Sequence, residues 1–81
     1  MQPEDVQDML RERPFKPLQV RLTDGTTYVI THPNLSMVTL HRLIIGFPEP
    51  GTNGQLAGDM VRIAWSMVAG IDRLVPESAT M

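Results

Sequence analysis

A chain of 81 residues has room for one hydrophobic core, so we interpret residues 1–81 as a single domain. It contains no cysteine and only two histidines, which excludes disulfides and thiolate zinc sites and gives no reason to expect a metal or cofactor. Its formal net charge of −2 is unlike that of the polycations that bind duplex nucleic acid without sequence preference.

No segment of the sequence is apolar for long enough to cross a bilayer. The longest apolar run, residues 43–47, ends at Pro48, whereas a membrane-spanning helix needs about 20 apolar residues. The first five residues are polar and acidic after Met1, which is not the pattern of a signal peptide. We therefore expect a cytoplasmic protein that does not associate with membranes.

The first predicted element is a short helix over residues 3–13. Pro3 suits the first helical position, and Val6 and Leu10 share one face at a spacing of four. Pro14 predicts the end of the helix, because the residue before a proline is driven towards an extended conformation. So short a helix does not persist alone in water, and we expect its apolar face to pack on the rest of the domain.

The strongest local signal is the pair Asp24-Gly25, which lies between two runs of alternating residues and predicts a β-hairpin. A two-residue loop would place Val20 opposite Val29. A three-residue loop with a left-handed Gly25 would place Val20 opposite Tyr28. We expect the second register, because it places the large apolar side chains of both strands on one face.

Further strands are predicted after the hairpin. The second hairpin strand is bent or broken at Pro33, which cannot donate to a sheet ladder. A variable loop is predicted at residues 48–58, which contain two prolines and three glycines, and a frayed tail at residues 77–81. One helix followed by about five short strands over residues 18–75 predicts a mainly β fold. We expect a strongly bent, antiparallel five-stranded small barrel, because closure removes exposed sheet edges.

The order of these elements resembles that of the Sm-like proteins, which include the bacterial RNA-binding host factor of that class. Residues 22–28 resemble the first Sm signature, in which a glycine ends the first strand. Residues 62–71 resemble the strand, turn and strand of the second signature. The resemblance covers most of the chain and implies an Sm-like or SH3-like small barrel that forms a homo-oligomer, such as a ring, and binds single-stranded RNA.

The same resemblance nominates three nucleic-acid-binding residues around a pore: His32, Asn34 and Arg62. Asn34 lies near the position of the loop that carries the uracil-contacting residues of that family. The chain differs from the family where His32-Pro33 replaces the usual acidic residue and where the Tyr-Lys-His motif of the bacterial branch is missing. A pattern of PF-x-PL, then L-x-DG, then HP also resembles small uncharacterised bacterial proteins, and that similarity implies no function.

No motif in the sequence is typical of catalysis. The serines lack a G-x-S-x-G turn, and neither histidine has an adjacent acidic partner, so we expect the protein not to be an enzyme. Two functions remain open: a homo-oligomeric barrel that binds single-stranded RNA, and a structural or protein-interaction module without a nucleic-acid role. A small core with unpaired strand edges favours self-association in both cases.

Overall fold

The structure is a computed structural model that describes residues 2–74, which form a mainly β fold with one N-terminal helix and six strands. The elements are α1 (Pro3–Arg11), β1 (Leu18–Leu22), β2 (Thr27–Ile30), β3 (Met37–Val38), β4 (Arg42–Pro48), β5 (Ala57–Ala64) and β6 (Val68–Arg73). Two short 3-10 turns, Pro33–Leu35 and Trp65–Met67, connect β2 to β3 and β5 to β6. The predicted frayed tail, residues 77–81, lies outside the described residues.

The six strands form two antiparallel sheets, with the orders β2-β1-β6 and β3-β4-β5. The count exceeds the predicted five because the second hairpin strand divides at Pro33. This proline begins a 3-10 turn, so the chain leaves the first sheet after Ile30 and enters the second at Met37. The two sheets are not closed into one: among residues 2–74 no ladder joins β5 to β6.

The hairpin forms in the predicted three-residue register. Val20 pairs with Tyr28, and the amide of Leu22 donates to the carbonyl of Thr26 at 2.8 Å. Gly25 has a φ of +91°, the left-handed conformation that this loop requires. The Asp24 carboxylate accepts the backbone N–H of Thr26 at 2.9 Å, and this hydrogen bond lowers the pKa of Asp24.

The core lies between the two sheets and the helix. Its buried side chains come from all three: Val6, Leu10, Leu18, Val20, Ile30, Leu43, Ile45, Ile63 and Ile71. Burial of Val6 and Leu10 confirms the predicted apolar face of α1. Since a nine-residue helix is marginal in isolation, this contact is what keeps α1 folded.

The helix and the long loop have different bounds from those predicted. α1 ends at Arg11 rather than at residue 13, because Glu12 is already extended with ψ 141° and its carboxylate pairs with the guanidinium of Arg73. The loop predicted at residues 48–58 shortens to residues 49–56, since β4 continues to Pro48 and β5 begins at Ala57. The loop between the paired strands β4 and β5 is therefore shorter than the sequence predicts.

Candidate functional site

His32 lies at the point where the chain leaves the first sheet. It follows β2 and immediately precedes the 3-10 turn, and its Nδ1 is 2.9 Å from the hydroxyl of Thr31. The ring is half-buried because it packs against Gly54 in the connection between β4 and β5. A Cβ atom added to Gly54 would overlap the imidazole. The histidine is thus part of a packed contact between two loops.

Asn34 reaches the same glycine by a hydrogen bond. Its side-chain Nδ2 donates to the carbonyl oxygen of Gly54 at 2.9 Å, although the residue as a whole is exposed. Gly54 is buried and has a φ of +75°. The structure therefore brings His32 and Asn34 together, and both hold residues 49–56 against the turn. Among the described residues the Asn34 side-chain oxygen makes no hydrogen bond, so it is available to a ligand.

The connection at residues 49–56 has a defined hydrogen-bonded structure. The amide of Glu49 donates to the carbonyl of Leu56 at 2.8 Å, and the Thr52 hydroxyl donates to the carbonyl of Glu49 at 2.7 Å. Gln55 closes a further turn by donating to the Thr52 carbonyl at 3.0 Å. These bonds and the contact with His32 hold the loop together and against the turn after β2.

Arg62 lies in a different part of the molecule. It is exposed on β5 and pairs with Ile44 on β4, which in turn pairs with Met37 on β3. Within residues 2–74 it forms no hydrogen bond or ion pair with His32 or Asn34. The structure therefore unites two of the three predicted site residues and places the third on the face of a sheet.

The outer face of the second sheet carries exposed apolar side chains. Leu43 and Ile63 point to the core, so alternate residues of the same strands point outwards. We call this surface the Met–Arg face; it consists of Met37, Arg42, Ile44, Met60 and Arg62. Met37 is 58% and Met60 50% exposed. Alternation along β5 indicates that Met60 and Arg62 point outwards. Only the pairing of β5 with β4, and of β4 with β3, shows that they lie on the same surface as Met37.

A shallow groove of about 280 Å³ lies between the helix and the β3–β4 turn. Its lining comes from both elements: Pro3, Glu4, Gln7, Val38, Thr39 and Leu40. Leu40, at the tip of the turn, is 76% exposed. The groove is shallow and open to solvent, whereas small-molecule sites enclose most of their ligand, so its geometry does not define such a site.

Two ion pairs join β6 to its neighbours. The Arg73 guanidinium, hydrogen-bonded to Glu12, lowers the pKa of that carboxyl, and the carboxylate raises the pKa of Arg73. Arg21 forms a second ion pair with Asp72, at 2.8 Å between Nε and Oδ2. Within residues 2–74 no cluster of three or more histidine or acidic side chains is arranged to hold a metal ion. The two pairs connect β6 to β1 and to the residue that follows the helix.

No protein-family model, curated protein or solved structure matches this chain. The described part of the chain also contains no helix that is long and apolar enough to cross a membrane. The features of the described residues that bear on binding are the His32–Gly54 contact and the Met–Arg face.

Proposed function

We propose that this chain is a non-enzymatic, Sm-like small barrel that forms a homo-oligomer and binds single-stranded RNA beside His32 and Asn34. The observation that carries the proposal is the strand order. If β2 and β3 are treated as two halves of one bent strand, the strands follow one another as β6, β1, β2–β3, β4 and β5. This sharply bent antiparallel order supports the barrel that the Sm resemblance implies.

The two ends of that order supply the surfaces for self-association. β5, with eight residues, and β6, with six, each pair on one side only within residues 2–74. An unpaired edge presents a row of backbone donors and acceptors to which another strand can add. Pairing of β5 of one copy with β6 of the next is head-to-tail, and such an interface gives a ring when the rotation closes.

RNA binding is supported by the neighbourhood of His32 and Asn34. Their contacts with Gly54 fix the connection between β4 and β5, and the Asn34 carbonyl oxygen remains available to accept a hydrogen bond from a base. The net charge of −2 makes electrostatic attraction to phosphate weak for one copy. Repetition of the site around an oligomer would supply affinity by multivalency.

Self-association is tested by native mass spectrometry combined with hydrogen exchange. We expect an oligomer at tens of micromolar protein, together with slow exchange of the backbone amides of β5 and β6. Dilution to the monomer should restore fast exchange at the outer edges of these two strands only. A monomer at the higher concentration, or identical exchange before and after dilution, contradicts assembly through these edges.

RNA binding is tested by fluorescence anisotropy with labelled oligo-uridine and oligo-adenosine at low salt. We expect Asn34→Ala and His32→Ala to weaken binding, whereas the matched control His41→Ala, a change in the exposed β3–β4 turn, should leave it unchanged. Arg62→Ala in the same assay shows whether the Met–Arg face contributes. Absence of binding by the unaltered protein to both oligonucleotides contradicts the proposal.

A second candidate function is a structural or protein-interaction module without a nucleic-acid role. The observation that favours it is the exposure of large apolar side chains on the Met–Arg face and at Leu40. Exposed apolar residues grouped on one surface are typical of protein contact sites. Retention of the oligomer without any binding of RNA would favour this second function.

A further inference from the structure

We propose that the Met–Arg face binds a segment of a partner protein that combines carboxylates with apolar side chains. This inference deepens the second candidate function by giving it a site and a partner chemistry. It does not require RNA binding or ring assembly, and its test can fail while either of those proposals stands.

Strand pairing gathers the apolar members into one surface. Met37 pairs directly with Ile44, and Met60 pairs with Gly46, two residues further along β4. Cβ atoms directly opposite each other on paired strands lie about 5 Å apart and diagonal neighbours roughly 7–8 Å apart, so Met37 and Met60 both lie next to Ile44. Methionine side chains are flexible and polarisable, which suits a surface that must adapt to an apolar partner.

The chain itself bounds this surface on one side. Leu35, in the 3-10 turn, packs so closely over Gly46 that a Cβ atom there would overlap the Leu35 carbonyl oxygen. Gly46 is accordingly buried although it lies on the outward side of the strand. Ile44, the next outward position, is only half-buried, and Met60 is half-exposed. The covered part of the sheet therefore ends where the Met–Arg face begins.

Two arginines flank the apolar groups. Arg42 pairs with Ala64 and Arg62 with Ile44, so they occupy diagonal positions on adjacent strands, at a Cα spacing of roughly 7–8 Å. Neither forms an ion pair within residues 2–74, whereas Arg21 and Arg73 both do. Both side chains are therefore able to bind carboxylates, and arginine is the cation best suited to bidentate carboxylate contacts.

No carboxylate of the chain shares this face among the described residues. The nearest along β5 is Asp59, which lies at a position that alternates with Met60 and pairs with Phe47. Its Oδ1 accepts the backbone N–H of Met60 at 2.8 Å. The face is thus apolar with a positive flank, and the complementary partner is apolar with negative charges.

Other occupants fit this surface less well. Symmetric contact between two copies of the face would place the arginines of both copies in one interface with no carboxylate to pair with them, which is unfavourable. The acidic helix of a second copy cannot supply apolar anchors, because its Val6 and Leu10 are buried in its own core. RNA fits this particular face less well, because none of its five residues has an aromatic ring on which a base could stack.

The test is an NMR titration of the full-length, ¹⁵N-labelled protein with synthetic peptides. The probe alternates Glu and Asp with Leu and Ile; one control peptide replaces its acidic residues with Lys, and another replaces its apolar residues with Ser. We expect the probe alone to bind and to shift the amide signals of Met37, Ile44 and Arg62. Binding elsewhere, equal binding of a control peptide, or no binding at millimolar peptide overturns the inference.

Charge reversal provides the matched variants. Arg42→Glu combined with Arg62→Glu should weaken binding of the acidic probe by at least roughly tenfold and should allow the Lys-containing peptide to bind. Arg11→Glu combined with Lys16→Glu changes the net charge equally at exposed positions outside the face, and should weaken binding much less. Equal effects of the two double variants would show that peptide binding depends only on the net charge of the protein, and would contradict the assignment of the site to the Met–Arg face. Displacement of the peptide by oligo-uridine with the same shifts would assign the face to RNA instead.

Discussion

The imidazole of His32 occupies the space that a side chain at Gly54 would need. Gly54 is buried in a left-handed conformation, with φ +75°, and its carbonyl accepts the side-chain amide of Asn34 at 2.9 Å. This one glycine therefore meets two side chains from the turn that separates the two sheets. The contact joins the β4–β5 connection to the segment between β2 and β3.

Gly54→Ala should destabilise the protein more than Gly51→Ala. Both glycines are left-handed, which costs an L-residue about 1–2 kcal/mol, but a Cβ at Gly51 meets no atom within 4 Å. At Gly54 the added methyl must also displace His32, an overpacking cost of roughly 1–3 kcal/mol more. Urea denaturation of the two variants measures the difference.

A double-mutant cycle identifies the cause of that difference. In the His32→Ala background the space is vacated, so Gly54→Ala should lose its extra cost and approach the effect of Gly51→Ala. If Gly54→Ala remains as costly without the imidazole, the packing contact does not account for the glycine. The same cycle with Gly51→Ala should show no coupling.

Trp65 links the turn after β5 to the turn before β4. Its indole Nε1 donates to the carbonyl of Thr39 at 2.8 Å, and its ring packs against the core. Trp65→Phe keeps an aromatic ring but leaves this carbonyl without its donor, so we expect a loss of about 1 kcal/mol in the free energy of unfolding. Because Trp65 is the only tryptophan, unfolding should be followed by far-UV circular dichroism.

Tyr28→Phe is the matched control for that change. The Tyr28 hydroxyl makes no hydrogen bond within the described residues, while the ring lies 6.1 Å from that of Phe47 between centroids. Loss of the hydroxyl should leave the free energy of unfolding nearly unchanged. A cost equal to that of Trp65→Phe would show that removing any polar aromatic atom, rather than the Thr39 bond, lowers stability.

Local signals predicted the hairpin but not the way its second strand ends. Asp24-Gly25 and the alternation on either side determine one register, because a shift would expose the apolar face. At Pro33 the sequence indicates a bend or a break, and a proline is compatible with both. The structure shows the break, and Leu35 of the following turn packs over Gly46 in the second sheet, a contact that no local pattern encodes.

The contacts of the candidate site could also be predicted only in part from the sequence. His32 and Asn34 were singled out from a family resemblance, but their common partner, Gly54, is 20 residues from Asn34 along the chain. The sequence assigned that glycine only to a loop. Arg62 was grouped with them by the resemblance, whereas strand pairing places it beside Ile44. Contacts between side chains distant in sequence depend on the registers of several strands at once, so one strand's pattern does not reveal them.

Docking of the helix should depend on Val6. This side chain is fully buried, and alanine has the higher helix propensity, so any loss in Val6→Ala comes from packing. We expect a cost of about 2 kcal/mol, from lost burial and the cavity that remains. Val29→Ala, at a position that is 40% exposed, is the control and should cost much less. Chemical denaturation measures both, and equal costs would contradict the docking of α1 on the core.

The contact between Glu12 and Arg73 should make stability depend on acid pH. Its hydrogen bonds lower the pKa of the folded-state carboxyl below the ordinary value of 4.5. The pair therefore stabilises the fold above that value, and this contribution is lost as the pH falls through the folded-state pKa.

Thermal unfolding of the unaltered protein and of Glu12→Gln measures this contribution. We expect the variant to have a slightly lower Tm at neutral pH, since both side chains are solvent-exposed, and the difference should shrink in acid as Glu12 becomes protonated. Asp8→Asn removes an exposed helix carboxylate that forms no ion pair within residues 2–74, and serves as the control for net charge. If the Tm difference for Glu12→Gln stays constant from neutral to strongly acid pH, the pair does not link the end of the helix to β6 in solution.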